Sequence, residues 1–401
     1  MEPDEIRTNF NSNFTYDNYQ DLLDSLNNDL PSPIRFRIAE SPVFLTNDFR
    51  DRIIAAGNNI IDFILRPDFK RITEDSIPDR WRCANENDHP HFILIDFGTH
   101  KDTNGNIVPR LIELQGFPSI YALQADLGMS YHTIFRIADN WNIYFNELDR
   151  TRYFDLFKET IVGPHHPDEV VLLDVNPHEQ HTAADFYFTQ KYFGISIVSL
   201  TDLRQEGKQL LYERQGERKL IRRIYNRLVF DEIADKPNIF NENIDLRQDL
   251  DVEWITHPHW FYRISKYLLP HLEGECIPKT YYLNQIINNL PDDLENYVLK
   301  PLFLFGGRGV IIDITKDDID KIQDPYNWIL QKKVHYQPIF HFDGHDIRGE
   351  IRLMYLWPDG HKRPLLTTNI IRLSSNNMIN VQCNTNCQWT GVSIAFIQNP
   401  K

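Results

Sequence analysis

Apolar positions along the chain fall into two patterns. Helical spacing appears at Ile53, Ile54, Ile60, Ile61 and Ile64 and predicts an amphipathic helix from Phe49 to Leu65. Unbroken apolar runs predict buried strands. The first is His91-Phe92-Ile93-Leu94-Ile95-Asp96-Phe97, with an acid near its end. The polar turn from Lys101 to Asn106 joins it to a second run, Pro109 to Ser119, which contains Glu113-Leu114-Gln115. Asn-Gly between two such runs is a hairpin signal. Upstream, residues 1–35 are polar and hold a short amphipathic helix at Tyr19–Leu30; downstream, residues 120–160 read as helical.

At Gly163-Pro164-His165-His166-Pro167 the pattern changes to strand, helix, strand. Val170–Asp174 and Ile195–Val198 flank a helix from His181 to Phe193 that Gly194 closes. Leu210–Arg214 and Lys219–Leu228 add strands about a turn at Gly216. This is a Rossmann-like layer without Gly-x-Gly-x-x-Gly, which argues against a dinucleotide site. From about residue 250 come a helix at Trp260–Leu269 and strands at Ile277–Leu283, Trp328–Val334, Gly349–Leu356 and Pro364–Leu373, the last two about the turn Pro358-Asp359-Gly360. The expected divisions are 1–35, 36–164, 165–245 and 246–401, in an α/β (α+β) protein whose Rossmann-like layer lies outside the sheet that carries Lys300.

Within the last division, Tyr297-Val298-Leu299-Lys300-Pro301 leads into Gly306-Gly307-Arg308-Gly309, and Val310-Ile311-Ile312 opens a second run. This reads as strand, flexible loop, strand, with a lysine at the base and residues 303–310 mobile without a ligand. Glycines let backbone N–H groups approach an anion, and a strand lysine places a point charge beside it; a triphosphate suits the pair. No Gly-Lys-Ser/Thr closes the loop, so it is not a P-loop. Asp96, Glu113 and Gln115 supply the hard oxygen atoms that suit Mg²⁺.

A net charge of −15 argues against nonspecific binding to nucleic acid or to an anionic membrane. The N-terminus Met1-Glu2-Pro3-Asp4-Glu5 is acidic and unlike a signal peptide, and no apolar run is long enough for a membrane span. Four cysteines make no disulfide framework, and Cys83 and Cys276 do not match the close pair Cys383 and Cys387, so no zinc site is read. A cytoplasmic location is the expectation.

Taken together, Val298-Leu299-Lys300-Pro301 and Gly306-Gly307-Arg308-Gly309-Val310 resemble the phosphate-covering hairpin of the ATP-grasp family. The resemblance implies that Lys300 and the earlier Lys266 contact ATP phosphates, and that Gly306, Gly307, Arg308 and Gly309 cover them. It also implies that Gln331 and Val334 border the adenine and that Arg352 and Arg372 face the phosphates as catalytic groups. The family's metal motif normally follows these elements. Here Asp96 and Glu113-Leu114-Gln115 precede them, which resembles the circularly permuted, glutathionylspermidine-synthetase-like members. Gln115 stands where Asn is usual, and Gln331 where an acid is frequent.

The activity so implied is ATP-dependent ligation of a small carboxylate to an amine or thiol through an acylphosphate, with Mg²⁺ held by Asp96, Glu113 and Gln115. A phosphotransferase and a non-catalytic nucleotide-binding module are the alternatives. Arg222-Arg223-Ile224-Tyr225-Asn226-Arg227 reads as a strand facing an anionic substrate or as an ion-paired strand, and His257-Pro258-His259 as loop residues without an acidic partner.

Overall fold

The computed structural model describes residues 2–234, 244–304, 306–342, 344–375, 379 and 388–398. Cys383 and Cys387 lie outside the described residues.

Both ends of the chain build the central sheet. Strands β2 (Phe92–Lys101), β3 (Ile107–Gln115), β16 (His345–Leu356), β17 (Leu365–Ser374) and β18 (Gly391–Ser393) run antiparallel in the order β18-β17-β16-β2-β3, and β15 (Phe340–Phe342) also pairs with β16. Strand alternation sorts their side chains. Ile93, Ile95, Phe97, Ile351, Leu353 and Ile371 share one core with Phe49, Ile53, Ile60, Ile61 and Ile64 of the helix Asn47–Ile64. That helix is the expected one, and Thr46 caps it by accepting from the Phe49 N–H.

On the other face, Phe92, Leu94, Met354, Leu356 and Ile370 enter a second core with helices Leu123–Ile134 and Arg150–Ile161. The continuous helix expected over 120–160 is thus two helices. Left-handed backbone at Arg136, Asn146 and Glu147 breaks it, and β4 (Trp141–Asn142) lies between. β4 pairs with β19 (Ala395–Gln398), which pairs in turn with β1 (Val43–Leu45).

The strand–helix–strand pattern gives a parallel sheet. β5 (Val170–Asp174), β6 (Ser196–Ser199), β10 (Arg223–Asn226) and β11 (Glu253–Ile255) take the order β11-β10-β5-β6. The helix Ala183–Phe193 ends at Gly194 in the left-handed region, as read. A small antiparallel sheet of β7 (Arg204–Glu206), β8 (Gln209–Arg214) and β9 (Glu217–Ile221) accompanies it. Val170 and Leu172 share a core with Tyr153 and Phe157, so packing runs across residue 164.

Lys300 lies in a separate antiparallel sheet of β12 (Thr280–Tyr282), β13 (Tyr297–Pro301) and β14 (Trp328–Lys332), order β12-β14-β13. The expected second arm, Val310–Ile312, makes only the single bridge Leu299–Ile311; Asp313, at φ 57°, turns the chain away. Among the described residues no helix is long and apolar enough to cross a membrane.

Candidate functional site

The face that buries Phe92, Leu94, Met354 and Ile370 becomes charged further along the same strands. Register aligns Arg352 with Asp96 and Asp96 with Glu113, and sets Glu350 opposite Arg372. Both Asp96 oxygens accept from Arg352, through Nε and Nη2 at 2.6 Å each, a bidentate pair. Arg372 Nη2 lies 2.6 Å from Asp96 Oδ2 and 2.6 Å from Glu350 Oε2. The Tyr336 hydroxyl donates to Glu350. Its ring lies over Gly98, where a Cβ would sit 2.6 Å from the ring, so this position needs glycine.

The two lysines arrive from other elements. The pairing of β2 with β3 shifts register after Asp96 and skips Ile112, whose carbonyl accepts from Lys300 Nζ at 3.1 Å. Lys300 Nζ also donates to Gln331 Oε1 at 2.6 Å. Lys266 heads the 3-10 turn Lys266–His271 that Ser265 caps. Its Nζ is 3.3 Å from Glu113 Oε2 and donates to the Leu304 carbonyl. Gln115 donates from Nε2 to Glu113 Oε1 at 3.1 Å, so these two side chains share a face.

Burial opposes ionisation of Glu113, but Lys266, Arg372, Lys300 and Arg352 outweigh it and hold the carboxyl down at about 2. Burial pushes Lys300 down to about 8, against the pull of Glu113. It pushes Glu350 up, with Arg372 opposing. For Arg372 burial acts downward, yet Glu350, Asp96 and Glu113 together raise it.

Beside this cluster lies a cleft of about 480 Å³ lined by Gln115, Lys266, Arg352 and Arg372 on one side and by Gly306 and Arg308 on another. Gly306, Gly307 and Gly309 all take positive φ, 65°, 74° and 71°, the left-handed region that favours glycine. Arg308 reaches across to Glu232 at 2.7 Å. The far wall is the end of the parallel sheet: Asp174, Gln180, Thr182 and Arg227. Arg227 lies between the rings of Phe117 and Phe186, 5.0 and 5.2 Å from their centroids. Its Nε and Nη1, together with Arg372 Nε and Gln331 Nε2, are buried donors with no hydrogen-bond partner among the described residues. An unmet buried donor costs about 1–3 kcal/mol, so these groups suit a ligand rich in acceptor oxygens.

The structure therefore brings Asp96, Glu113, Gln115, Lys266, Lys300, Arg352 and Arg372 into one cluster beneath the glycine turn. Gln331 joins it through Lys300, whereas Val334 follows β14 and is not part of the cleft wall. Both oxygens of Asp96, expected as a metal ligand, are engaged by the guanidinium groups of Arg352 and Arg372. Among the described residues no three His, Cys, Asp or Glu side chains form a metal cage. Glu113 with Gln115 suits Mg²⁺, which accepts one or two protein oxygens beside phosphates and water.

Glu350 and Tyr336 escaped the sequence reading, and Arg227 entered it only as one residue of the basic strand 222–227, read as facing an anionic substrate or as ion-paired. Glu350 was accessible by alternation, two residues before Arg352. Arg227 and Arg223 sit together in sequence, but Arg223 is spent on Glu253 and Asp359.

No family model matches the chain, and no curated protein matches it in sequence. Among solved structures it is similar to a glutathione synthetase-like effector from Globodera pallida in its apo form, with a TM-score of 0.57, 10% identity, and coverage of 89% of this chain and 94% of that one. At that identity the likeness is one of fold.

Proposed function

We propose that the cluster is an ATP site of ATP-grasp type in circularly permuted order, and that the protein is an ATP-dependent ligase joining a small carboxylate to an amine or thiol. The parallel sheet is then the Rossmann-like layer between the two halves of the ATP-binding unit. The fold shared with a glutathione synthetase-like protein supports this reading. The observation that carries it is the convergence of Lys266, Arg352 and Arg372, from three separate elements, on one cleft with Gln115, while Lys300 from a fourth element lies behind the wall and acts on Glu113.

In this reading Lys266 and Lys300 hold phosphate oxygens, and Arg352 and Arg372 stabilise charge that develops on the transferred phosphoryl group. Asp96 and Glu350 keep the two guanidinium planes in place. Glu113 and Gln115 hold Mg²⁺, which when bound neutralises phosphate charge. The γ-phosphoryl group passes to a carboxylate oxygen and ADP leaves; the amine or thiol then attacks the acyl carbon and phosphate leaves. Arg227 orients an anionic part of the substrate at the far wall.

The occupation of both Asp96 oxygens favours a second reading, a nucleotide-binding module without turnover. Assays of ADP and phosphate release with pools of amino acids, polyamines and small carboxylic acids separate the readings. A ligase releases ADP and phosphate only when carboxylate and acceptor are both present. A phosphotransferase releases ADP without phosphate on one substrate, and a module binds ATP with no release on any pool.

A further inference from the structure

The sequence His257-Pro258-His259 plays no part in the proposed reaction, yet it is not an exposed loop. His257 and His259 are 0% and 5% exposed, and His259 has an acidic partner. Each ring uses one nitrogen as an acceptor for a backbone N–H. Cys83 N donates to His259 Nε2 at 2.8 Å, and His259 N donates to His257 Nδ1 at 3.2 Å. The opposite nitrogens meet acceptors, His259 Nδ1 at Glu86 Oε2, 2.7 Å, and His257 Nε2 at the Ala84 carbonyl, 2.9 Å. The His257 imidazole is thereby held as one neutral tautomer. A protonated ring has no acceptor, so proton uptake sets N–H against N–H in a buried place.

This turn opens the short helix His259–Arg263. Arg263 fastens the helix through Glu86, Glu74, the Lys70 carbonyl and Thr73. The helix also abuts the end of β3: Gly116 N donates to the Ile264 carbonyl at 2.8 Å, and a Cβ on Gly116 would meet the Trp260 carbonyl at 2.5 Å. Lys266 follows three residues after Arg263, so the placement of this helix sets the lysine against Glu113.

We infer that the His257–His259 turn is an acid-sensitive clamp that positions Lys266 in the cleft, and that proton uptake by the His257 imidazole releases the helix and the lysine behind it. The clamp needs Lys266 only as a cleft cation and stands independently of which ligand the cleft takes. The charged groups facing the two rings are Glu86 and Lys70, with Arg263 and Glu74 next to Glu86. Burial, and then His259, depress the His257 imidazole to about 3. The open state has an ordinary histidine at about 6.5. A folded value below the open one means that the closed clamp is fully favoured above about pH 6.5 and loses ground as pH falls toward 3.

The test is acylation of lysines by an N-hydroxysuccinimide ester, read peptide by peptide by mass spectrometry, with Lys266 normalised to the exposed Lys321. Between about pH 7.5 and about pH 5.5 the normalised labelling of Lys266 in the wild-type chain rises about tenfold, the protonation ratio of one ordinary histidine over that interval. Lys300, held by Ile112 and Gln331 and not by the clamp, shows no such rise. In His257→Asn, whose side-chain oxygen still accepts the N–H two residues on but does not titrate, Lys266 labelling stays flat. A flat wild-type profile, an equal rise in His257→Asn, or a parallel rise at Lys300 overturns the proposal. The wild-type comparison of Lys266 with Lys300 decides it even if the variant fails to fold.

Discussion

One face of the central sheet holds two regions built on the same strands with the same alternation. At one end Phe92, Leu94, Met354 and Ile370 are packed into a core. At the other, Asp96, Glu113, Glu350 and Arg352 are also buried, and Arg372 is half-buried, but as ions. The apolar end is stabilised by removal from water, at about 25 cal/mol per Å². The charged end gains little net stability, since desolvation of its ions offsets their attraction. The proposed ligand site accounts for its arrangement, and the bulge at Ile112, the glycine under Tyr336 and the unmet Arg372 Nε occur there.

The contrast breaks most sharply at Glu113. Glu113→Gln is expected to lower metal-dependent ATP turnover about a hundredfold or more, with the thermal transition near the wild-type value. Gln115→Ala has a smaller effect in the same assay. At the apolar end the pattern reverses. Leu94→Ala should destabilise the fold by about 2–5 kcal/mol in urea unfolding while nucleotide affinity, measured below the transition, is unchanged.

Lys300 sharpens the comparison through pH. Its folded value of about 8 lies below the ordinary lysine value, so the neutral amine is favoured in the fold. The group's contribution to stability therefore rises as pH climbs from about 8 to about 10.4, while affinity for an anionic nucleotide falls over the same range. Lys300→Met removes both trends; titration calorimetry and thermal melts across this range check them. The smallest effect belongs to Tyr336→Phe, which loses one hydrogen bond to Glu350 and about 1 kcal/mol in urea unfolding.

How much of this was legible in the sequence depended on range. Alternation and turn chemistry announced β2, β3, β16 and β17 and the helix Asn47–Ile64, because their periodicity is local. The permuted order of motifs suggested that Asp96 and Glu113 meet Lys300, but the pairing of β2 with β16 is a long-range contact that no local pattern encodes. The two arginines on Asp96 were hidden for the same reason: an acid on a strand carries no local sign of the arginine that will lie opposite it. His257 and His259 read as loop residues because their partners, Cys83, Ala84 and Glu86, are about 170 residues away. Arg227 was indistinguishable from Arg223 without the aromatic rings that hold it.

The central claim, that the charged end of the sheet is a metal-dependent ATP site, is tested most directly by calorimetric titration of a non-hydrolysable ATP analogue with Mg²⁺ into the wild-type chain and into Glu113→Gln. The account predicts saturable one-to-one binding to the wild-type chain that weakens when Mg²⁺ is withheld, and a loss of that Mg²⁺ dependence in the variant. An absence of binding to the wild-type chain, or binding with the same Mg²⁺ dependence in Glu113→Gln, would contradict it.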